Sequence, residues 1–252
     1  MRLDVYLLNK KVFESRNKAL NAILRGEIYV NGVKVTKPSY KIDEENEVKI
    51  EYKFLDKFVS QGGYKMKKAL EDFNFDVKNF ICADFGASTG GFTDCLLQRG
   101  AKLVYAIDLN DDLLHYSLKT NEKVVPIITN AKLITKESFR SEIDLIVCDL
   151  SFISSTSFFP IFFNVLKQTG YVILLIKPQF ETDKRTNFKN GIIRNSNTRK
   201  NACIKIIENA IKYNFTPLKL TKAPIYADKN VEYLLLLKKG DGEIFDYLNY
   251  DY

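Results

Sequence analysis

Between residues 63 and 240 the hydrophobic positions form short uninterrupted runs, and polar stretches with helical spacing separate them. Uninterrupted apolar runs of this length predict strands that are buried on both faces, as in parallel sheets. The predicted strands are NFICADFG, KLVYAIDL, KVVPIIT, IDLIVCDL and YVILLIKP. Because helical stretches such as FTDCLLQRG and NACIKIIENAIKYN separate or follow them, we predict right-handed βαβ units in an α/β fold with a mostly parallel sheet.

The last two apolar segments predict a different connection. VEYLLLLKK follows closely on LKLTKAPIY. Parallel neighbours need a long crossover between them, whereas antiparallel neighbours need only a short loop. We therefore expect these two segments to form an antiparallel pair at the edge of the sheet.

The first 53 residues have a different pattern and predict a separate small α+β domain. SRNKALNAILRG at 15–26 predicts a helix, with Ser15 as the N-cap and Gly26 at the end. IYVNGVKV at 28–35 predicts a hairpin that turns at Asn31 and Gly32, and VKIEY predicts a further strand. Residues 54–62 are interpreted as a linker, and residues 63–252 as the α/β domain.

Charge and composition narrow the class of protein. The 252 residues carry a formal net charge of +7, and residues 1–41 hold nine basic side chains against three acidic ones, which favours a polyanionic partner. No apolar run approaches the 18 residues of a membrane-spanning helix, and the N-terminus has no signal-peptide pattern. Four widely spaced cysteines contain no CxxC pair, so we expect a cytoplasmic protein without a metal site.

A glycine-rich turn, DFGASTGGFTD at 84–94, joins the first strand of this domain to its first helix. Such turns let the backbone approach a ligand, yet neither a dinucleotide fingerprint nor a P-loop is present. Asp108 ends the second strand, where a carboxylate accepts hydrogen bonds from ribose hydroxyls. This combination predicts S-adenosylmethionine, with Asn130 on the adenine side. The predicted cofactor residues are Asp84, Gly86, Ala87, Ser88, Thr89, Gly90, Gly91, Asp108, Leu109, Asn130 and Asp149.

Charged residues stand at the ends of several predicted strands and helices. Asp149 ends one buried strand, Lys177 ends the next, Lys65 lies near the start of the helix before the sheet, and Glu232 begins the final strand. Open parallel sheets bind ligands beyond the carboxyl ends of their strands, so we expect these groups to converge.

The motifs SxGGYKxxxAL, GASTGGFTD, CDLSFIS, LIKPQFE, GIIRN and NVEYLL, in this order, resemble the TlyA (haemolysin A-like) family of FtsJ-like ribose 2′-O-methyltransferases. The resemblance implies a Rossmann-like, class I S-adenosylmethionine-dependent methyltransferase that modifies a cytidine of ribosomal RNA. It also implies a catalytic tetrad at Lys65, Asp149, Lys177 and Glu232. We expect Lys177 to be closest to the ribose hydroxyl, although the sequence leaves open which lysine acts as the base.

The N-terminal pattern, RLD followed by SRxxAxxxIxxGxxxVNG, resembles the RNA-binding domain named after protein four of the small ribosomal subunit. The resemblance implies RNA contacts along the second helix, and Asp4 of RLD is interpreted as structural. A basic, glycine-bearing stretch at 185–200 is predicted to form a loop over the RNA. The predicted RNA-binding residues are Arg2, Arg16, Lys18, Arg25, Lys34, Arg185, Lys189 and Arg194.

Two other functions compete with this interpretation. Relatives are often labelled haemolysins, which suggests a membrane-lytic protein, yet the chain has no apparent pore segment. The second alternative is a non-catalytic RNA-binding assembly factor with the same fold. Such a factor is expected to have lost a tetrad residue, yet all four are present. In the family that the chain resembles, members with a short N-terminal arm modify only large-subunit RNA, so the resemblance favours the large ribosomal subunit as the partner. We expect no membrane partner and a monomeric protein.

Overall fold

The computed structural model divides the chain into two compact units, Met1–Lys57 and Phe58–Tyr252. It describes residues 1–10, 12–13, 16–24, 26–43, 48–52, 58–110, 113–182, 191–224 and 229–252. Residues 58–62, which the sequence assigns to the linker, belong to the second unit, and residues 54–57 lie outside the described residues.

The N-terminal unit packs two helices, α1 (Leu3–Asn9) and α2 (Arg16–Leu24), with a three-stranded antiparallel sheet. The strands are β1 (Ile28–Val30), β2 (Val33–Val35) and β3 (Ile50–Tyr52), in the order β2-β1-β3. Asn31 and Gly32 both have positive φ angles, 49° and 79°, as a two-residue hairpin turn requires. The hairpin therefore lies where the sequence predicts it, whereas the predicted N-cap, Ser15, lies outside the described residues.

The second unit contains a seven-stranded sheet. In chain order its elements are α3 (Gln61–Phe73), β4 (Ile81–Phe85), α4 (Gly91–Gln98), β5 (Leu103–Asp108), α5 (Tyr116–Lys119), β6 (Val124–Ile128), β7 (Ile143–Cys148), α6 (Phe159–Val165), β8 (Leu166–Ile176), α7 (Pro178–Glu181), α8 (Ser196–Lys212), β9 (Phe215–Lys222) and β10 (Tyr233–Lys239). Three 3₁₀ turns cover Ala131–Leu133, Lys136–Ser138 and Ser155–Phe158.

The strand order is β6-β5-β4-β7-β8-β10-β9. Strands β4 to β8 pair in parallel, and β10 pairs antiparallel with both β8 and β9. The predicted Rossmann-like fold is confirmed, including its antiparallel edge. The strand β10 is inserted beside β8, which leaves β9 at the outer edge.

Helices cover both faces of the inner strands and explain their continuous apolar runs. The prediction that the strand in KVVPIIT is buried on both faces is wrong, because β6 lies at the edge of the sheet and is mostly exposed. On one face α3 and α4 pack through residues such as Met66 and Leu96; on the other, α6 and α8 pack through residues such as Phe162 and Ile206. From β4 the chain runs outward to β5 and β6, then returns to the other side at β7. The crevice at this reversal, beyond the carboxyl ends of β4, β5 and β7, is where such sheets bind ligands. In the described part of the chain no helix has the length and apolar character needed to cross a bilayer.

Candidate active site

The glycine-rich turn between β4 and α4 passes close to the end of β7. Gly86 has a φ angle of 85°, and a Cβ atom there would lie 3.0 Å from the carbonyl oxygen of Asp149. A side chain at Gly86 is therefore excluded both by backbone conformation and by space. Gly90 serves packing instead, because a Cβ atom there would overlap the side chain of Leu118.

Asp84, at the end of β4, is a buried carboxyl group with one oxygen unused. Its Oδ2 accepts hydrogen bonds from the backbone nitrogen of Thr93 at 3.1 Å and from Thr93 Oγ1 at 2.7 Å. Its Oδ1 has no hydrogen-bond partner among the described residues. The pKa of Asp84 is raised to about 7, mainly by burial and also by the charges of Asp149 and Asp108, against the lowering effect of the Thr93 hydrogen bonds. Asp84 Oδ1 is therefore available to accept a hydrogen bond from a ligand.

Two adjoining cavities form a cleft at this end of the sheet. A cavity of about 220 Å³ is lined by Asp84, the glycine-rich turn and Lys65, and a second of about 400 Å³ lies beside Asp108 and Asn130. Residues Gly86, Ser88, Asp149 and Ser151 line both cavities, so the two are parts of one cleft. Every predicted cofactor residue except Gly90 lines this cleft.

The larger cavity combines apolar walls with a few polar groups. Ala131, Leu150 and Phe158 contribute apolar surface. Asp108 Oδ2 accepts a hydrogen bond from the backbone nitrogen of Ser88 at 2.8 Å, and its Oδ1 accepts one from Leu109 at 2.7 Å. These bonds fix the carboxylate and leave lone pairs on both oxygens for a ligand.

The four predicted catalytic residues form two ion pairs. Lys177 Nζ lies 2.5 Å from Asp149 Oδ1, and Lys65 Nζ lies 2.5 Å from Glu232 Oε2. Their side chains are 11% to 22% exposed. Lys177 also donates a hydrogen bond to Ser151 Oγ at 2.8 Å. Both pairs are partly buried. An unpaired charge in such a position is destabilising, so each charge is stabilised by the opposite charge of its partner.

The sheet explains why residues so distant in sequence meet. Tyr233 of β10 pairs with Ile176 of β8, so Glu232, before one strand, stands beside Lys177, after the other. Lys65 is on the second turn of α3. A cavity of about 540 Å³ opens beside Lys65, Lys177 and Glu232, adjacent to the cleft. The arrangement can therefore hold one ligand in the cleft and a second one in this cavity.

The structure adds two aromatic residues that the sequence reasoning missed. Phe152 follows β7 with a φ angle of 67° and is 83% exposed. Its ring centroid lies 4.9 Å from that of Phe180, which in turn lies 5.9 Å from Lys177 Nζ. A bulky residue with a positive φ angle is strained, and such strain concentrates at functional sites. No sequence pattern indicates that conformation.

Glu181 is a third residue that the sequence reasoning missed. It is 3% exposed, and it accepts hydrogen bonds from Ser154 Oγ at 2.6 Å and from the Ser155 backbone nitrogen at 2.9 Å. It therefore ties the loop after β7, which carries Asp149, to the segment after β8, which carries Lys177. The motif LIKPQFE contains Glu181, but its spacing does not reveal that the carboxylate points inward.

In the N-terminal unit, Asp4 organises two arginines. Asp4 is fully buried, and its carboxylate accepts hydrogen bonds from Arg2 Nε at 2.9 Å and from Arg16 Nε at 2.8 Å. Burial alone would raise the pKa of Asp4, but its hydrogen bonds and ion pairs with both arginines hold that pKa below its usual value. The arginine side chains stay about half exposed, so the structural interpretation of Asp4 agrees with the geometry.

The structure describes only some of the remaining predicted RNA-binding residues. Lys34 and Arg194 are exposed. The side chain of Lys18 and residues Arg25, Arg185 and Lys189 lie outside the described part of the chain. Within the predicted RNA loop region, Arg199 instead lies on α8 and donates hydrogen bonds to the carbonyl oxygens of Ile193, Arg194 and Tyr252 and to the Tyr233 hydroxyl oxygen.

Comparison with known proteins assigns each of the two units to a known family. The family model for FtsJ-like methyltransferases matches residues 58–239, and that for the S4 domain matches residues 1–48. Hemolysin A of Brachyspira hyodysenteriae is 44% identical over 237 residues, which cover 93% of this chain and 98% of that protein. The 16S/23S rRNA (cytidine-2′-O)-methyltransferase TlyA of Mycobacterium tuberculosis is 31% identical over 239 residues, which cover 94% and 89%. A solved structure of a candidate hemolysin from Streptococcus thermophilus superposes with a TM-score of 0.74 at 35% identity, covering 98% of this chain and 90% of that one.

Proposed function

Since the chain belongs to the TlyA and hemolysin-like family of FtsJ-like methyltransferases with an S4 domain, we propose that it methylates the ribose 2′-hydroxyl of a cytidine in ribosomal RNA. The observation that supports this most is the position of the two lysine–carboxylate pairs. They stand between the cleft beyond β4 and β5 and the larger cavity beside it, where a cofactor and a second substrate would meet.

The cleft fits S-adenosylmethionine. The buried Asp84 Oδ1, unpartnered among the described residues, accepts the ammonium group of the methionine end. Asp108 accepts the ribose hydroxyls through its free lone pairs, and the apolar surface near Leu150 and Phe158 takes the adenine. The close approach of Gly86 to the backbone of Asp149 keeps the cleft free of side chains at that point.

The cofactor supplies a methyl group on a positively charged sulfur, and the residues of this chain align and activate the hydroxyl. Lys177, fixed by Asp149 and Ser151, stands at the boundary of the two cavities and holds the ribose hydroxyl. Asp149 orients this lysine, and Lys65, paired with Glu232, holds the neighbouring phosphate. Alignment of reactants accounts for several kcal/mol of a typical rate enhancement, so precise placement is the main task of the tetrad.

The aromatic pair of Phe152 and Phe180 provides a surface for the target base. Exposed aromatic rings stack on unpaired bases, which contributes about 1–3 kcal/mol per base. Phe152 lines the cofactor side and Phe180 lines the substrate cavity. A base that packs here keeps its ribose next to Lys177.

The N-terminal S4 domain supplies RNA affinity, and it is a separate unit from the one that holds the four proposed catalytic residues. Arg2 and Arg16, held by Asp4, and the exposed Lys34 contact phosphates. Lys18, Arg25, Arg185, Lys189 and Arg194 complete the proposed RNA-binding set. We propose that the protein acts in the cytoplasm as a monomer, on RNA of the large ribosomal subunit.

Transfer of labelled methyl groups from S-adenosylmethionine tests the proposal. Unmodified large and small subunits, naked ribosomal RNA and transfer RNA are incubated with the wild-type protein and with Lys177→Ala. Lys102→Ala, at an exposed position away from the cleft, is the matched control. We expect alkali-resistant label in large-subunit RNA, recovered as 2′-O-methylcytidine, that the Lys177 variant loses and the control keeps.

Other outcomes contradict the proposal in distinct ways. Label in another nucleoside or another RNA refutes the substrate, and label that survives in Lys177→Ala refutes the role of this lysine. Because a relative is named hemolysin, release of dye from liposomes is measured with the same preparations. Leakage without methyl transfer would support the lytic function instead.

A further inference from the structure

Ser151 stands where three cavities of the methyltransferase unit meet. It lines the cavity beside Asp84, the cavity beside Asp108 and the cavity beside Glu232. No other described residue lines all three. It is also exposed, so its hydroxyl group is accessible to ligands. Under the proposed function, the junction of these cavities is where the cofactor and the ribose face each other.

The hydrogen bonding of Ser151 leaves capacity for a substrate. Ser151 Oγ accepts one hydrogen bond, from Lys177 Nζ at 2.8 Å. Lys177 Nζ also lies 2.5 Å from Asp149 Oδ1, an ion pair without hydrogen-bond geometry, so the described hydrogen bond of this ammonium is the one to Ser151. A serine hydroxyl has two lone pairs and one hydrogen. Ser151 Oγ therefore keeps one lone pair that can accept a hydrogen bond from another molecule.

The loop that carries Ser151 is fixed on both sides. Lys177 holds Asp149 and Ser151 from one side, and Glu181 holds Ser154 and Ser155 from the other. Both anchors belong to the segment after β8. The hydroxyl group is thus placed by the fold before a ligand arrives, as a group that aligns a reactant must be.

We propose that Ser151 is a further catalytic residue, whose oxygen accepts a hydrogen bond from the ribose 2′-hydroxyl while Lys177 donates to the same oxygen. The inference rests on the proposed methyl transfer. A hydroxyl that donates its hydrogen to Ser151 keeps its own lone pairs free and has a defined orientation toward the cofactor cleft. When the bond from sulfur to the methyl carbon breaks and the bond from the ribose oxygen to that carbon forms, the ribose proton passes to Ser151 and the proton of Ser151 passes to solvent water, because Ser151 is exposed. Lys177 fixes the position of Ser151 through its hydrogen bond.

The test compares Ser151→Ala, which removes the hydroxyl, with Ser151→Thr, which keeps it. Ser157→Ala is the matched control, because Ser157 lies on the same loop and donates only to the Ser154 carbonyl oxygen among the described contacts. The measurements are kcat and KM for ribosomal RNA, and the Kd for S-adenosylmethionine by calorimetry, which needs no turnover.

We expect Ser151→Ala to lower kcat at least about tenfold, the equivalent of about 1.4 kcal/mol. The Kd for the cofactor and the KM for RNA should change less than about twofold, because Ser151 orients the hydroxyl group while many other contacts bind the RNA. Ser151→Thr should recover most of the rate, and Ser157→Ala should match the wild type.

Three results would overturn the role of Ser151. One is a wild-type kcat in Ser151→Ala. The second is a rise in cofactor Kd that accounts for the whole loss, which would make Ser151 a cofactor contact. The third is an equal loss in the Ala and Thr variants, which would assign the effect to loop shape. A wild-type protein that binds cofactor but methylates none of the RNAs would instead refute the proposed function, and with it this inference.

Discussion

The buried carboxyl group of Asp84 leads us to predict that the affinity for the cofactor depends on pH. Its carboxyl group is 1% exposed, its pKa is raised to about 7 by burial, and Oδ1 has no partner among the described residues. An ammonium group binds a carboxylate more tightly than a neutral carboxyl group. Because the raised pKa keeps Asp84 largely protonated at pH 6, binding there must first remove a proton. The affinity for S-adenosylmethionine should therefore increase as the pH rises through 7.

The size of the effect follows from that pKa. With a pKa of about 7, the carboxyl group is ionised in roughly one tenth of molecules at pH 6 and roughly nine tenths at pH 8. If only the ionised form binds, the Kd falls about tenfold between these pH values. At pH 7, binding should release roughly half a proton for each cofactor bound. Asp84→Asn, which cannot ionise, should release none from this site.

Calorimetry at pH 6, 7 and 8, in buffers of different ionisation enthalpy, measures both the Kd and the proton release. The amino group of the cofactor also titrates in this range, so the informative quantity is the ratio of the variant Kd to the wild-type Kd. We expect this ratio to be about tenfold larger at pH 8 than at pH 6. Asp76→Asn, at an exposed position after α3, should behave as the wild type.

A ratio that stays constant from pH 6 to pH 8 would refute this reasoning. It would mean that Asp84 keeps one protonation state throughout, or that its free oxygen does not contact the cofactor. Equal proton release by Asp84→Asn and by the wild type would lead to the same conclusion. Thermal unfolding of the variant, compared with the wild type, excludes a general loss of folded protein.

Two further predictions concern other buried carboxylates. Because its arginine partners lower the pKa of Asp4 in the folded protein, Asp4 contributes stability that is present above pH ~4 and is lost as the pH falls through the lowered value. Asp4→Asn should lower the free energy of unfolding by about 1–3 kcal/mol at pH 7 and by less at pH 3 in urea titrations; an equal difference at both pH values would contradict this. Glu181→Ala, which frees Ser154 and Ser155, should lower kcat at least about fivefold with an unchanged cofactor Kd, and a wild-type kcat would show that Glu181 does not position the loop.

The fold was predictable because its inner parallel strands, β4, β5 and β7, are buried on both faces, whereas the edge strand β6 is apolar in sequence but mostly exposed. Each parallel strand appears in the sequence as an uninterrupted apolar run, and its position does not depend on distant contacts. The place of β10 was less predictable. Its short connection to β9 indicates an antiparallel pair, but nothing in the sequence shows that β10 also pairs with β8, which leaves β9 alone at the edge.

The candidate site was predictable where residues follow directly from strand ends. Asp84, Asp108, Asp149 and Lys177 lie at or just after such ends, and parallel strands bring those ends together. Site residues whose position depends on loop conformation could not be predicted from the sequence. The left-handed backbone of Phe152 and the inward carboxylate of Glu181 are set by contacts between loops, which hydrophobic periodicity does not encode.

The ion pair between Lys65 and Glu232 joins positions 167 residues apart, from the first helix of the second unit to the residue before its last strand. During synthesis, the glycine-rich turn and the three aspartates of the cleft leave the ribosome long before Glu232 exists. Contacts of such long range also form late, because a large loop must close first. The nascent chain can therefore assemble its cofactor cleft while its tetrad is incomplete. If Lys65 and Glu232 act in catalysis as proposed, methyl transfer begins only when β10 has entered the sheet.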